Sequence, residues 1–203
     1  TDCTASNDGG AIYALGNNVE IINSIFTNNE VTEDGGALYI SGENCKIYNS
    51  TLNDNRAGDD GGAIYWEGAN GIIDGCDFTD NKGLSAGNPS DPSTSKGGTL
   101  SVTGDKLSIL NSNFTRSITY NRDDNNVGGA IFITGDDVDI ESCNFDECTA
   151  SDADGGTIYI IGNRTTITNS NISDSTARAG GAIYIDGVYV VNGRKCRLDR
   201  LRI

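Results

Sequence analysis

The sequence of 203 residues contains no histidine, no methionine and only two prolines, and its 29 acidic residues outnumber its 14 basic ones. The lack of histidine removes the commonest general base and metal ligand. The net charge of −15 argues against a nucleic-acid partner, because phosphate binding needs a basic face. There is also no run of about 18 apolar residues, so no segment is predicted to cross a bilayer as a helix.

Glycine, in contrast, is abundant, and many of the 27 glycines stand in pairs that open similar phrases. The phrase GGAIYALG at 9–16 returns as GGAIYWEG at 61–68 and as GGAIYIDG at 180–187. The chain starts inside a unit, since TDCTASNDGG at its beginning resembles ECTASDADGG at 147–156, and we expect a processed chain or part of a longer one. The Gly-Gly pairs that open a unit begin at positions 9, 35, 61, 97, 128, 155 and 180.

Each unit contains three short segments in which apolar and polar residues alternate, bounded by Gly, Asn or Asp, and this alternation is typical of β-strands. Strands this short cannot enclose a core unless each unit is one coil that rests on the next. Crossovers between parallel strands are right-handed in nearly all proteins. The sequence therefore predicts an all-β, right-handed parallel β-helix over residues 1–187, with about seven to eight coils of 25–27 residues and three strands per coil.

Aligning the units places equivalent residues in columns. Three apolar columns, which begin at Ile12, Ile21 and Phe26, are predicted to stack inward and form the core. Two columns of asparagine, one through Asn49 and one through Asn55, are predicted to form ladders at the turns, because an amide both donates and accepts hydrogen bonds. We expect the glycine pairs to lie where the backbone needs a positive φ angle or where neighbouring coils are in close contact.

The phrase GGAI at 9–12, 61–64, 128–131 and 180–183, with FTNN at 26–29 and FTDN at 78–81, resembles the repeat of polymorphic outer-membrane proteins, a class of autotransporter adhesins. The longer unit is also similar to the adhesin-like surface proteins of methanogenic archaea. The resemblance covers residues 1 to about 187. It implies an extracellular, cell-surface segment that binds a glycan or a surface protein, without defined catalytic residues.

One candidate site is a column of aromatic residues that alternates with inward isoleucines and is expected to face outward. Such a strip could bind sugars or proteins, or its rings could simply stabilise neighbouring coils. The column is interrupted once, by Ser101. Its members are Tyr13, Tyr39, Tyr65, Phe132, Tyr159 and Tyr184.

A second candidate site lies at two insertions, residues 83–96 and 117–127, which should protrude side by side from successive coils. Functional residues often lie on loops of this kind, although a tolerated surface insertion is the simpler reading. The polar groups expected there are Asp91, Arg116, Tyr120, Arg122, Asp123 and Asp124.

Other polar groups have weaker interpretations. The acids before the glycine pairs, such as Asp34 and Asp60, are expected to be solvated edges; Ca²⁺ could relieve their repulsion, but no calcium motif is present and no cofactor is predicted. The six cysteines, from Cys3 to Cys196, are interpreted as buried free thiols, because their column spacing does not suit disulfides. The glycosylation sequons predicted to be exposed are at Asn113, Asn163 and Asn171.

The preferred function is thus a non-enzymatic, adhesin-like surface rod. Two alternatives remain: a structural filament or stalk subunit that assembles through its open coil ends, and a polysaccharide lyase or hydrolase that uses acids such as Asp77, Asp80 and Asp123 with Arg116. The basic segment 188–203, with five basic residues and one acid, is interpreted as a cap, an inter-subunit contact or an appended end.

Overall fold

The computed structural model describes residues 1–84, 95–120 and 127–186, together with the backbone of Arg197–Asp199. Within these residues every regular element is a short β-strand, and the strands form four parallel sheets that run along a solenoid. No helix in the described part of the chain is long and apolar enough to cross a membrane. The predicted fold class, an all-β parallel solenoid, is confirmed.

Each coil passes through the sheets in a fixed order, which we number from the glycine pair onward. The first sheet contains Ile12–Ala14, Leu38–Ile40, Ile64–Trp66, Leu100–Val102, Ile131–Ile133, Ile158–Ile160 and Ile183–Ile185. The second contains Glu20–Ile22, Lys46–Tyr48, Ile72–Asp74, Ser108–Leu110, Asp139–Glu141 and Thr166–Thr168. The third contains Ile25–Thr27, Thr51–Asn53, Asp77–Thr79, Asn113–Thr115, Asn144–Asp146, Asn171–Ser173 and Arg197–Asp199. The fourth contains Thr4–Ala5, Glu30–Val31, Arg56–Ala57, Lys82–Leu84, Ile118–Tyr120 and Thr149–Ala150.

The fourth sheet corrects the prediction of three strands per coil. Several of its strands have only two residues, as at Arg56–Ala57, and two residues are too few to show the alternation that marks a strand in the sequence. The described residues also contain fewer complete coils than the seven to eight predicted. Six complete coils lie between the glycine pairs at 9 and 180, and the described residues outside them form only partial coils.

The strand register confirms the predicted columns. Ile64 pairs with Leu38 on one side and Leu100 on the other, and Phe78 pairs in the same way with Leu52 and Phe114. The rings of Phe78, Phe114 and Phe145 stack with centroids 4.6 and 4.8 Å apart, close to the spacing between strands. The apolar columns therefore form one continuous core in which each coil buries its neighbours.

The glycine pairs are structural. The first glycine of each pair, such as Gly61 with φ +64°, adopts the left-handed backbone conformation that disfavours other residues. The second, such as Gly62, lies so close to the next coil that a Cβ would stand 2.1 Å from the carbonyl oxygen of Gly98. Both predicted roles of the glycine pairs are confirmed.

The two asparagine columns differ. Asn29, Asn55 and Asn81 are fully buried, and Oδ1 of Asn81 accepts from the backbone N–H and from Nδ2 of Asn55, both at 3.0 Å. Nδ2 of Asn55 also donates to the Phe26 carbonyl at 3.1 Å, so this ladder satisfies turn groups as predicted. The predicted ladder is wrong for the column through Asn49. That column consists of exposed residues at positive φ rather than a buried ladder, namely Asn23, Asn49, Asn111 and Asn169.

The thiol prediction is correct for four of the cysteines. Cys45, Cys76, Cys143 and Cys148 are buried and free, and they occupy small positions in the turn columns. Cys3 is also free but exposed, because in the partial first coil it is not covered as the later cysteines are. Cys196 lies outside the described residues.

Candidate functional site

The aromatic column of the first sheet is present with the predicted register. Tyr65 pairs with Tyr39 and with Ser101, and Ser101 pairs with Phe132. The ring centroids of Tyr13 and Tyr39 lie 4.7 Å apart and those of Tyr39 and Tyr65 lie 5.2 Å apart. Beyond the interruption at Ser101 a second stack begins, in which Tyr159 and Tyr184 are 4.8 Å apart.

This geometry limits what the rings can contact. The inner rings Tyr39 and Tyr159 have a ring on each side, so a sugar cannot lie flat on them as it would on an isolated aromatic side chain. The edges and hydroxyl groups remain available. Tyr13 is 51% exposed, while Tyr39, Tyr65, Tyr159 and Tyr184 are half-buried. The exposed surface is therefore a row of ring edges.

Phe132 does not face solvent as expected, because only 5% of it is exposed. The ammonium group of Lys96 lies over its ring, 5.6 Å from the centroid, and contributes a cation–π contact. Ser101, which follows Lys96 by five residues, is completely buried, and its hydroxyl has no hydrogen-bond partner within the described part of the chain. The strip is thus divided into two clusters, one at Tyr13, Tyr39 and Tyr65 and one at Tyr159 and Tyr184.

A row of carboxylates borders the first cluster. Asp8 accepts a hydrogen bond from the backbone N–H of Asp34 at 3.2 Å, Asp34 accepts one from Asp60 at 2.9 Å, and Asp60 accepts one from Lys96 at 3.0 Å. We call these residues the aspartate ladder. Nζ of Lys96 also lies 3.4 Å from the second oxygen of Asp60 and closes the ladder with a positive charge.

The aspartate ladder is not the solvated edge that the sequence predicts. The Asp60 side chain is only 14% exposed, and burial raises the pKa of Asp60 to about 7 even though Lys96 acts in the opposite direction. Burial also raises the pKa of Asp34 to about 6, with the charges of neighbouring acids adding to the effect. At neutral pH part of the population of these two groups is therefore protonated, which lowers the repulsion within the stack.

Glu67 adds a further carboxylate on the other side of the tyrosines. It accepts a hydrogen bond from the hydroxyl of Tyr39 at 3.1 Å. Burial, with this acceptor, raises the pKa of Tyr39, so its phenol stays protonated and remains a donor. The first cluster is thus a row of tyrosine edges between Asp34 and Asp60 on one side and Glu67 on the other.

The structure describes only the bases of the two insertions. Lys82–Leu84 and Ile118–Tyr120 are paired in parallel, and Lys96 forms a bridge with Val127 where the chain returns. The insertions therefore leave and rejoin the solenoid side by side. The expected site residues Asp91, Arg122, Asp123 and Asp124 lie outside the described residues.

Arg116 and Tyr120 can be placed. Arg116 is not directed at the insertions, because Nε and Nη2 each donate to a carboxylate oxygen of Asp80 at 2.7 Å. Tyr120 is 49% exposed beside the second insertion. Shallow depressions of about 270 and 420 Å³ lie on the fourth sheet, one including Leu84 and Arg56 and the other including Thr149 and Arg178.

Two of the three acids proposed for catalysis, Asp77 and Asp80, make structural contacts, and the third, Asp123, lies outside the described residues. Asp80 holds Arg116, and Asp77 accepts a hydrogen bond from Nδ2 of Asn113 at 2.7 Å. Among the described residues there is no group of three or more Cys, Asp or Glu side chains that could hold a metal ion. Neither observation identifies a cleft where carboxylates converge on a substrate.

The three sequons also make contacts between coils. Asn113 is exposed, whereas Asn163 and Asn171 are half-buried, and each donates from Nδ2 to the preceding coil. Asn163 bonds to Asp136 at 2.9 Å and Asn171 to Asn144 at 2.9 Å.

Sequence reasoning missed Lys96, Glu67 and the burial of the aspartate ladder. Their column positions could have suggested proximity to the tyrosines, since Asp34 and Asp60 each precede a tyrosine by five residues. Burial of their carboxyl groups depends on side-chain packing, which the alternation of residues does not encode.

A comparison with family models supports the handedness of the solenoid. The model described as "Right handed beta helix region" matches residues 1–97, which include the first three glycine pairs and part of the fourth. Residues 1–97 are thus similar to right-handed β-helix proteins, and the described residues together form a parallel β-solenoid. No curated protein and no solved structure matches the chain. The solenoid holds its candidate site on one outer face.

Proposed function

We propose that this β-helix is a segment of a non-enzymatic, adhesin-like rod at the cell surface, which binds glycan or protein ligands along its sides. The observation that carries the proposal is the first aromatic cluster, in which Tyr13, Tyr39 and Tyr65 stack in register and present their edges beside carboxylates. Tyrosine is enriched where proteins meet partners, because one side chain offers both apolar area and a hydroxyl.

The regular scaffold supports the same proposal. Tyrosines held by stacking lose little conformational entropy on binding, so the surface is preorganised for a ligand that spans several coils. The neighbouring acids disfavour anionic ligands and favour neutral or basic ones. The resemblance of the units to polymorphic outer-membrane proteins and to methanogen adhesin-like proteins favours an extracellular location.

A binding array tests this function. The chain is applied to immobilised glycans and matrix proteins, together with the double variant Tyr39→Ala/Tyr65→Ala. The matched control is Tyr48→Ala, which removes a half-buried tyrosine from the outer face of the second sheet. Saturable binding that the double variant loses and the control keeps supports the proposal. Unchanged binding in the double variant would remove the cluster from the site.

One observation favours assembly into filaments as a second function. In the first coil, Leu15 is 62% exposed and Ile25 is 68% exposed, and both are large apolar side chains. Exposed apolar side chains of this size favour contact with a second copy. Electron microscopy distinguishes the functions: filaments that Ile25→Lys shortens support assembly, and isolated rods contradict it.

A further inference from the structure

The third sheet has an outer face whose composition differs from that of the others. On each strand the central residue is buried, as Phe78 and Phe114 are, and the two flanking residues point outward. The first outward column is Ile25, Thr51, Asp77, Asn113, Asn144 and Asn171. The second outward column is Thr27, Asn53, Thr79, Thr115, Asp146 and Ser173. We call these two columns the polar face.

Most side chains of the polar face carry hydroxyl or amide groups. Among the six strands whose side chains are described, its twelve positions hold nine Thr, Ser or Asn residues, two Asp and one Ile, with no basic residue. The neighbouring sheets differ, since the second has an ion pair between Lys46 and Glu20 at 3.1 Å and the fourth has Glu30 and Arg56 outward.

Hydrogen bonds between coils hold these side chains in order. Nδ2 of Asn113 donates to Asp77 at 2.7 Å, Nδ2 of Asn171 donates to Asn144 at 2.9 Å, and Oγ of Ser173 donates to Asp146 at 2.6 Å. The two acids are thus occupied by donors from the next coil. The result is a flat array with a period of about 4.8 Å along the solenoid and about 6.6 Å across it.

From this arrangement we infer that the polar face binds a neutral, extended polysaccharide that runs parallel to the solenoid axis. A polymer with repeated hydroxyl groups can meet the same set of donors and acceptors at each coil. Among the side chains that the structure describes on the polar face, a polyanion would meet two acids and no cation. A protein partner usually needs aromatic or arginine anchors at the centre of the contact, and the polar face has none among its described residues.

This inference rests on the proposed binding function but places the glycan on a different face from the tyrosines. The test uses protein from a bacterial host, so that Asn113 and Asn171 carry no glycan. The probes are cellulose, xylan, mannan and chitin, with polygalacturonate and heparin as polyanions. Binding is measured by affinity electrophoresis for soluble polymers and by co-sedimentation for insoluble ones.

The informative variant is Thr79→Lys/Thr115→Lys, which places two long charged side chains on adjacent coils in the middle of the polar face. We expect it to weaken binding of the neutral polymer by at least about tenfold, which corresponds to the loss of about 1.4 kcal/mol. The matched control is Ser108→Lys/Thr166→Lys on the outer face of the second sheet, which should bind as the unchanged protein does.

A milder double variant, Thr79→Val/Thr115→Val, keeps the shape of the side chains and removes only their hydroxyl groups. It replaces the lysine variant in the binding test if the lysine variant is misfolded and does not melt cooperatively. Binding should change little when the ionic strength rises from about 0.05 to about 0.5 M, because the contact is uncharged. Failure of every neutral polymer to bind, or a preference for polyanions, would overturn the inference. Loss of glycan binding in Tyr39→Ala/Tyr65→Ala alone would also overturn it while supporting the proposed function.

Discussion

The ammonium group of Lys96 lies 5.6 Å from the centre of the Phe132 ring, where it covers one end of an aromatic stack. The same ammonium group lies 3.4 Å from the Asp60 carboxylate. One side chain thus links the aspartate ladder to the aromatic column, at the coil where the column is interrupted by Ser101. This link explains why the outward face of the first sheet is divided into two clusters.

Replacing Lys96 by methionine tests the link. Lys96→Met keeps the length of the side chain but removes both the cation–π contact and the pair with Asp60, so we expect the free energy of unfolding to fall by about 1 kcal/mol. The pKa of Asp60 should rise further, because Lys96 lowers it. Urea unfolding measures the first effect, and Lys82→Met, on the fourth sheet, is the control. A loss as large in the control would contradict a specific role for Lys96.

The buried asparagine ladder should be more sensitive than any outward polar contact. Asn55→Ala removes the acceptor of Asn29 and the donor to the Phe26 carbonyl in one step, and it should lower the free energy of unfolding by roughly 2–4 kcal/mol. Asn144→Ala, on the outside of the third sheet, should cost less than about 1 kcal/mol. Equal losses in the two variants, measured by chemical denaturation, would show that the ladder does not stabilise the turns.

The stability of the protein should depend on pH through the aspartate ladder. Asp34 and Asp60, with pKa values of about 6 and about 7, bind protons more tightly in the folded chain than an ordinary aspartate of pKa about 3.9 does. Their stabilising contribution is therefore present at low pH and is lost as the pH rises through 6 and 7. We expect the free energy of unfolding to fall by roughly 1–3 kcal/mol between pH 5 and pH 8.

Asp60→Asn separates this effect from other titrations. The variant is neutral at every pH, so its unfolding free energy should vary less between pH 5 and pH 8 than that of the unchanged protein. Asp137→Asn is the control, because hydrogen bonds from Arg164 lower the pKa of Asp137 and keep it ionised throughout this range. If Asp60→Asn and the unchanged protein show the same dependence on pH, the ladder is not the source of it.

The buried thiols should be unreactive in the folded protein. Burial raises the pKa of Cys76, and it raises that of Cys143 to about 11 and of Cys148 to about 12, so little reactive thiolate forms at neutral pH. In a Cys196→Ser background we expect an aromatic disulfide reagent to label one thiol per chain, that of Cys3, and to label all five after denaturation. Rapid labelling of several thiols under native conditions would contradict the burial of the turn columns.

Much of the fold could be predicted because the repeated units can be aligned with one another. Stacking the units places Ile64 above Leu38 and Phe78 above Leu52, and the strand register follows directly. The fourth strand of each coil was not predicted because a strand of two residues, such as Arg56–Ala57, is too short to show an alternation of apolar and polar residues. The two asparagine columns could not be distinguished from composition, since the residue type is the same and only the folded chain shows Asn49 exposed at positive φ and Asn55 buried.

The candidate site was less predictable than the fold. Alternation correctly placed Tyr39 and Tyr65 on the outside, but it also placed Phe132 there, and that ring is buried with the Lys96 ammonium group over it. Lys96 occupies the column position that Asp34 and Asp60 hold in earlier units. This single change from an acid to a base in one unit alters the surroundings of a side chain in the next unit. Side-chain contacts of this kind arise between coils and are not visible within one unit.

The most direct test of the proposed function is a polysaccharide assay that measures binding and bond cleavage on the same samples. The purified chain is incubated with neutral and anionic polysaccharides, with and without added Ca²⁺, and both the retained protein and any new reducing or unsaturated ends are quantified. A non-enzymatic binding rod predicts saturable retention on at least one polymer and no new chain ends at any Ca²⁺ concentration. Time-dependent release of shortened products would contradict it and would identify the β-helix as an enzyme.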